Sequence, residues 1–304
     1  MSLPVHYTEC PVCGSANFQT VVAAKDHTVS GETFQIAECA SCTLRFTQDV
    51  PAMDSIGAYY KAENYISHTN TSKGLINRLY KAVRKYTLGK KKRLLEKTTG
   101  KNNGRLLDLG AGTGAFVSTM QRAGWSVTGL EPDTQARQTA RDVFQIDLQD
   151  ISDFHLLTGH FDAITMWHVL EHVHDLNGYM KRLAKLLAPG GKLFIAVPNY
   201  TAYDAKVYGD SWAAWDVPRH LYHFSPGSMT RLVEKHGMRI TRQLPMWFDS
   251  FYVSMLSSKY RSGKTKLVPA IWNGFLSNIK AVGKPGRCSS VIYVVEVLPL
   301  RDPN

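Results

Sequence analysis

The sequence predicts an α/β fold, a parallel sheet doubly wound with helices, behind a small metal-binding N-terminal segment. Three observations carry this expectation. From Arg105 onward, short apolar runs alternate with amphipathic segments of helical period, as in a parallel sheet with helices on both faces. The first of these runs ends in Asp108-Leu-Gly110-Ala-Gly112-Thr-Gly114. A glycine-rich turn there lets a ligand approach the backbone at the carboxyl edge of the sheet. Ahead of the sheet stand two Cys-x-x-Cys pairs, Cys10 with Cys13 and Cys39 with Cys42, with 25 residues between them.

Each pair is able to place two thiolates on one metal, so together they make a tetrahedral four-thiolate site. Gly14 after Cys13 suits the left-handed turn such a knuckle needs. The stretch between the pairs reads as short strands with a Ser-Gly turn, so residues 1–50 are expected to form a zinc ribbon with structural Zn2+. Four free or redox-active thiols are the alternative. His6 and His27 would serve only if a cysteine dropped out, and Cys288 stands apart. Residues 51–99 read as a linker containing Tyr59, Tyr60 and Tyr65, followed by a basic helix from about Ser72. Leu75, Ile76, Leu79, Tyr80, Val83 and Tyr86 give this helix one apolar face. Arg78, Lys81, Arg84 and Lys85 lie off that face, Gly89 is a potential break, and the lysine run that follows reads as a solvated face.

The elements of residues 100–304 then follow in order. RLLDLGA is strand 1, Gly112 to Ala123 a loop and helix, SVTGLEP strand 2, TQARQTARDVF a helix and FQIDL a weak strand 3. HFDAITMWHVL is strand 4, and NGYMKRLAKLLA a helix stopped by Pro189-Gly190-Gly191. KLFIAVP is strand 5, SPGSMTRLVEKHG a helix ended by Gly237, MRITRQLPM strand 6 and SSVIYVVEVL strand 7.

Composition narrows the function. The 304 residues are 44% hydrophobic, 20% charged and 11% aromatic, which excludes a disordered or low-complexity chain. No apolar run approaches the roughly 18 residues of a spanning helix, and the N-terminus has no apolar leader. A cytoplasmic protein is expected. The net charge of +11 is concentrated: 12 cations against one acid in residues 71–105, and eight against two in residues 251–304. The rest is slightly acidic, so positive charge is an attachment to the chain and not its general character.

Chemistry starts at the glycine loop. Glu131 ends strand 2, where a carboxylate accepts both ribose hydroxyls of an adenosine cofactor. GAGTGA, with Ala115 last, also fits the looser dinucleotide fingerprint, so on the loop alone a nicotinamide dehydrogenase is the rival. Several motifs follow in order: LLDLGAGTG, GLEPD, FDAITMWHVLEHV, LLAPGGKLFIAVPN and PRHLYHFSPGSMTRLVEKHG. Over residues 100–298 the chain resembles class I S-adenosylmethionine-dependent methyltransferases. The resemblance implies a Rossmann-like seven-stranded sheet of order 3-2-1-4-5-7-6 with strand 7 antiparallel. It also implies S-adenosyl-L-methionine bound by Asp108, Gly110, Gly112, Gly114, Glu131, Pro132, Trp167 and His168, with Asp147 a candidate for the adenine.

Methyl transfer to a hydroxyl needs a base. The segment Arg219-His220-Leu-Tyr222-His223-Phe224-Ser225 is similar to the Tyr-x-Glu-His-x-x-Tyr-Phe-Ser segment of sugar C-methyltransferases, which also carry N-terminal zinc-binding Cys pairs. His220 falls on their catalytic His, but Arg219 replaces their Glu and no counterpart of their long C-terminal domain is expected, so C-methylation is not carried over. His220 and His223 are therefore the candidate catalytic residues; the alternative is that they only order the loop. His168-Val-Leu-Glu171-His172 resembles the Glu-x-x-Glu-His segment with which ubiquinone-pathway O-methyltransferases are thought to hold a divalent metal. His168 replaces their first Glu, and a structural cap is the other reading. Trp212, Trp215, Tyr203 and Tyr208 are candidates for an aromatic acceptor wall or for core.

The insertion 247–287 reads as two helices joined by RSGKTK, with aromatic and aliphatic residues beside lysines. A lid over the acceptor, a peripheral contact with anionic membrane and ordinary packing are its three readings. The expected function is methylation of a small-molecule hydroxyl on a sugar, nucleotide-sugar or glycan or lipid precursor, with a quinone-like acceptor next. No specific nucleic acid is expected as partner, because the ribbon is acidic and lacks a basic-aromatic motif. The competing class is a non-catalytic nucleic-acid-binding protein with a cofactor-binding domain.

Overall fold

A computed structural model describes residues 3–60 and 75–298, with residues 75–82 described for the backbone only. The expected linker residues 61–70, Tyr65 among them, and the expected helix start at Ser72 lie outside the described residues. Two sheets organise the chain. The first is antiparallel and runs β1 (Phe18–Lys25), β2 (Thr33–Cys39), β3 (Arg45–Thr47) and β8 (Tyr222–His223) in that order. The second has six strands. Its order is β5 (Trp125–Leu130), β4 (Gly104–Leu109), β6 (Phe161–Trp167), β7 (Leu187–Pro198), β10 (Ser290–Val297) and β9 (Met238–Pro245).

In the numbering of the expected strands this is 2-1-4-5-7-6, with strand 7 antiparallel to strand 6. Strand 3 is reduced to one parallel bridge between Leu130 and Gln149. Its sequence, with only Ile146 and Leu148 turned inward, supplies too short an apolar alternation to hold a ladder.

By contact, the described residues divide into two compact units: residues 75–167 with 182–194, and residues 3–60 with 168–181 and 195–298. The N-terminal cysteine segment thus shares a unit with the later loops. The reason is visible in the first sheet, where Arg45 and Phe46 of β3 pair with His223 and Tyr222 of β8.

In the first unit, β4 buries its last four residues, Leu106 to Leu109, as befits a strand covered on both faces. Helix α2 (Ala115–Arg122) starts after Gly114 in the left-handed region, and α3 (Thr134–Phe144) is capped by Asp133, whose side chain accepts from the backbone of Gln135 and Ala136. Val117, Ala140, Ile146 and Leu148 close the core between them. Helix α1 (Leu75–Thr99) runs through Gly89 without a break, since one glycine costs only about 1 kcal/mol against good helix formers on both sides. Helix α4 (Leu176–Leu186) ends three residues before Pro189, and the Pro-Gly-Gly stretch belongs to β7.

In the second unit, α6 (Pro226–Lys235) begins with a capping box between Ser225 and Ser228. Helix α5 (Tyr203–Tyr208) leads into a core of Tyr208, Trp212, Trp215, Val217, Ala24 and Ile36. Three of the four proposed acceptor-wall aromatics are therefore packed inside, and the ring of the fourth, Tyr203, lies under Lys280 Nζ at 4.8 Å. The insertion forms α7 (Asp249–Ser262) and α8 (Leu267–Ala281). Its large apolar residues are not the buried ones: serines fill the buried face of α7.

Candidate functional site

The glycine loop follows β4 with Gly110, Gly112 and Gly114 all at positive φ (67°, 54° and 76°). Gly114 is needed for packing, since a Cβ there would come within 2.9 Å of Ala140 Cβ. At Gly112 a Cβ would meet nothing within 4 Å, so its backbone faces open space. Glu131, buried at the end of β5, accepts the Gly112 N–H at 2.7 Å and the Asp133 N–H at 3.0 Å. These bonds aim its carboxylate into the loop. Asp108 is buried beneath and accepts from Thr165 Oγ1 at 2.6 Å. Burial pushes its carboxyl up to about 7 against the opposing pull of Thr165 and Lys91. Trp167 ends β6 with its ring edge-on to Phe116 at 5.7 Å, and its buried Nε1 has no hydrogen-bond partner among the described residues.

An open backbone at Gly112, an oriented acid at Glu131 and an orphaned donor at Trp167 fit an adenosine-type cofactor. Pro132 is exposed beside them. Asp147 points outward in a surface pair with Arg141. Two contributors escaped the sequence reading, which placed them on a solvated or outward face. Arg84 of α1 donates to Thr113 Oγ1 at 3.0 Å, and Lys91 Nζ sits 4.2 Å over the Trp167 ring. Their spacing on the helix was the available signal, but only packing of α1 reveals what they reach.

The second unit holds the other predicted residues. Cys10 and Cys42 place their Sγ atoms 3.4 Å apart, Cys13 and Cys39 3.5 Å, and all four lie within 4.8 Å of one another. Zinc–thiolate bonds of about 2.3 Å in a tetrahedron imply sulfurs roughly 3.8 Å apart, so this donor set fits zinc. The two knuckles are alike: Gly14 N–H returns to Cys10 O and Thr43 N–H to Cys39 O, with Gly14 at φ 73° and Thr43 at φ 60°. His6 instead pairs with Asp49, and His27 stacks on Tyr260.

The histidine loop is tied to this module. Thr47 Oγ1 donates to the His220 carbonyl at 2.8 Å and accepts from His223 Nε2 at 3.1 Å. His223 is buried edge-on to Trp215, and burial, with His220 and Arg45 nearby, depresses its basicity well below that of a free imidazole. Arg219, where the resembled motif has Glu, is a buried hub: it forks onto Asp216 at 2.7 and 3.1 Å, reaches Asp26 at 3.4 Å and donates to the Tyr59 carbonyl.

His220 Nδ1 lies 2.9 Å from the Ala214 carbonyl. A carbonyl only accepts, so Nδ1 carries the proton and the neutral ring keeps Nε2 as its basic nitrogen. Asp216 Oδ2 lies 3.9 Å from Nε2. His172 is fixed in the same way, Nδ1 being 3.0 Å from the Arg219 carbonyl, and its ring is edge-on to His220 at 4.6 Å. Glu171 is fully buried, and its Oε2 has no hydrogen-bond partner among the described residues. One ligand atom from each of Glu171, His172 and His220 lies within 4.8 Å of the others. His168, in left-handed backbone at φ 58°, spends both ring nitrogens on carboxylates, Asp249 at 2.9 Å and Glu171 at 3.3 Å. Although burial opposes its charge, these two acids raise it to about 10.

A family profile for methyltransferase domains matches residues 80–243. The chain belongs to that family, and its class is the class I S-adenosylmethionine-dependent methyltransferases, which sets aside the nicotinamide-dehydrogenase alternative. It is similar to the ubiquinone biosynthesis O-methyltransferase of Xanthomonas oryzae pv. oryzae, with 35% identity over 130 residues, 40% of this chain and 54% of that one. The protein of the same name from Nitrosococcus oceani is 31% identical over 174 residues, 53% of this chain and 72% of the relative. The chain spans about half the length of the first of these curated relatives. Among solved structures, magnesium protoporphyrin IX methyltransferase from Synechocystis with bound SAH shares 14% identity at a TM-score of 0.48, over 76% of this chain and 91% of that one.

Proposed function

We propose that the protein transfers a methyl group from S-adenosylmethionine to a hydroxyl of a small-molecule acceptor, with His220 as general base. The observation that carries this is the His220 tautomer: Nδ1 is committed to the Ala214 carbonyl, which leaves Nε2 basic. When bound, S-adenosylmethionine supplies an already activated methyl group. Glu131 accepts the ribose hydroxyls, the backbone around Gly110, Gly112 and Gly114 lines the loop, and Asp108 offers its acid to the methionine ammonium. Pro132 and Trp167 flank them. His168 orients Glu171, since its own ring nitrogens are engaged. His220 Nε2 takes the hydroxyl proton, and the imidazolium so formed is stabilised by Glu171 and Asp216. His223 holds the loop to Thr47.

The names of the curated relatives support a hydroxyl acceptor. A sugar or nucleotide-sugar hydroxyl is the first acceptor to test, in keeping with the sugar-methyltransferase resemblance of the histidine loop and the cysteine segment. A quinone-type phenol is the second, in keeping with the relatives' printed names. Methyl incorporation from labelled S-adenosylmethionine into panels of both kinds tests the activity. His220→Ala should lower kcat by about 10²- to 10⁴-fold and leave cofactor affinity by calorimetry unchanged. Equal turnover in variant and parent would return His220 to a structural role. No methylation of either panel, together with salt-sensitive retention on heparin, would favour the nucleic-acid alternative.

One observation supports a second reading of the same cluster. The unsatisfied Glu171 Oε2, with His172 and His220 both keeping an unprotonated Nε2, suits a divalent cation. Turnover abolished by a chelator and restored by a divalent metal would make His220 a ligand; chelator-insensitive turnover leaves it as the base.

A further inference from the structure

We propose that α8, with the lysines at its two ends, is a docking surface for an anionic membrane. This goes beyond the methyl-transfer reading and does not depend on it. The helix is inside out for a soluble protein. Its buried residues are Ala270, Gly274, Ser277 and Ala281, whereas Val268, Ile271, Trp272, Phe275 and Ile279 are 80, 51, 58, 46 and 49% exposed. Those five recur at three- and four-residue spacing and so form one continuous stripe.

The helix cannot rotate to hide the stripe, because its small face is locked. A Cβ on Gly274 would come within 2.9 Å of Phe251 of α7. Ser277 donates to Asp204 at 2.6 Å, a buried acid that also accepts from Trp212 and Ser289. On the facing helix the buried residues are Ser250, Ser254, Ser257 and Ser258. The close approach of Phe251 to Gly274 and the Ser250 hydrogen bond to Asn278 Oδ1 at 3.0 Å hold the two helices together, and the five apolar residues of the stripe face out. A contiguous exposed apolar face marks an interaction surface.

Charge selects the occupant. From residue 250 to residue 295 the chain has seven Lys and Arg and no Asp or Glu. Lys264 and Lys266 lead into α8, and Lys280 and Lys284 stand at its other end, all four exposed. An apolar stripe about 17 Å long, carrying an aromatic pair (Trp272 and Phe275, ring centroids 5.8 Å apart) and bracketed by lysines, suits a helix lying in a lipid interface among anionic headgroups. No described helix is long and apolar enough to cross a membrane, so the contact is peripheral.

Flotation of the full chain tests this, with vesicles of phosphatidylcholine alone or with about 30 mol% phosphatidylglycerol. The chain should float with the anionic vesicles, not with the neutral ones, and less as salt rises. Trp272→Glu with Phe275→Glu, and separately Lys264→Glu with Lys266→Glu, should each weaken partitioning by about tenfold or more. Lys85→Glu with Lys90→Glu on α1 should leave it intact. Melting curves and cofactor affinity unchanged from the parent show that each variant is folded. No recruitment by anionic vesicles overturns the proposal, as does binding that survives both α8 variants or is lost with the α1 variant. A dimer in light scattering that Trp272→Glu dissociates, without vesicle binding, would make the face an interface between copies and overturn it equally.

Discussion

The unit with the glycine loop and the unit with the histidine loop hold their side chains in place by different means. In the first, Glu131 bonds to backbone N–H groups two and 19 residues away, and neighbouring parallel strands set the rest. In the second, His220 and His223 depend on Thr47, 173 and 176 residues earlier, and Arg219 depends on Asp26, 193 residues earlier. The partners in that unit come from the segment that carries the four cysteines. The contrast teaches that damage in the first unit should appear as lost ligand binding, and damage in the second as lost stability.

The four-cysteine cluster should give the largest effect. Purified reduced protein is expected to hold about one zinc, and Cys39→Ser to lose it and at least about 3 kcal/mol of stability. Metal analysis and thermal melting measure both, and a variant without zinc that melts like the parent would break the comparison. Next is Arg219→Ala, which removes the buried guanidinium from Asp26, an acid that keeps its bonds from Thr28 and Ser30, and from the half-buried Asp216. It should cost roughly 1–3 kcal/mol, read as a lowered denaturant midpoint.

Glu131→Ala sharpens the contrast from the other side. Cofactor affinity should fall by about 100-fold, as expected when hydrogen bonds to a charged acceptor are removed, while stability falls by less than in Arg219→Ala. Gly112→Leu should also abolish binding by closing the open backbone. Calorimetry showing parental affinity in both would remove the cofactor assignment.

The smallest effect is in pH dependence. Burial alone would raise the Asp26 carboxyl, but hydrogen bonds from Ser30 and Thr28 and the charge of Arg219 outweigh it and hold the group at about 2. A carboxyl depressed in the folded state contributes stability above its unfolded value near 3.8, and that contribution is lost as pH falls toward 2. Its size is roughly 2 kcal/mol. Acid titration of stability should therefore be flatter between pH 4 and 2 in Asp26→Asn than in the parent; equal slopes would assign the acid loss to other groups.

Most strands and helices of the six-stranded sheet could be read from the sequence because each is a local pattern: an apolar run, a cap, a glycine. Asp133 caps α3, Ser225 caps α6, and the turn after Cys13 does use Gly14. Strand 3 was over-read, since a short apolar run says nothing about whether a neighbour will complete its ladder. The lysine run on α1 was under-read for the same reason. Helix period shows where Lys91 points along the helix, but not that Trp167 lies under it.

The sequence by itself determined the glycine loop, the acid at Glu131 and the four-cysteine module, because spacing of a few residues on a strand–turn–helix or a knuckle already fixes their geometry. Tertiary structure decided what surrounds His220. Nothing in the residues near it states that Ala214 would set its tautomer, that Thr47 would hold its backbone, or that Glu171 would be left with an unpaired oxygen. It also decided which face of α8 is outward. The sequence shows an apolar stripe and a small-residue stripe on one helix and favours burying the first. Asp204 and the close approach of Phe251 to Gly274 bury the second, because a buried acid must be paired and a glycine contact admits no larger residue.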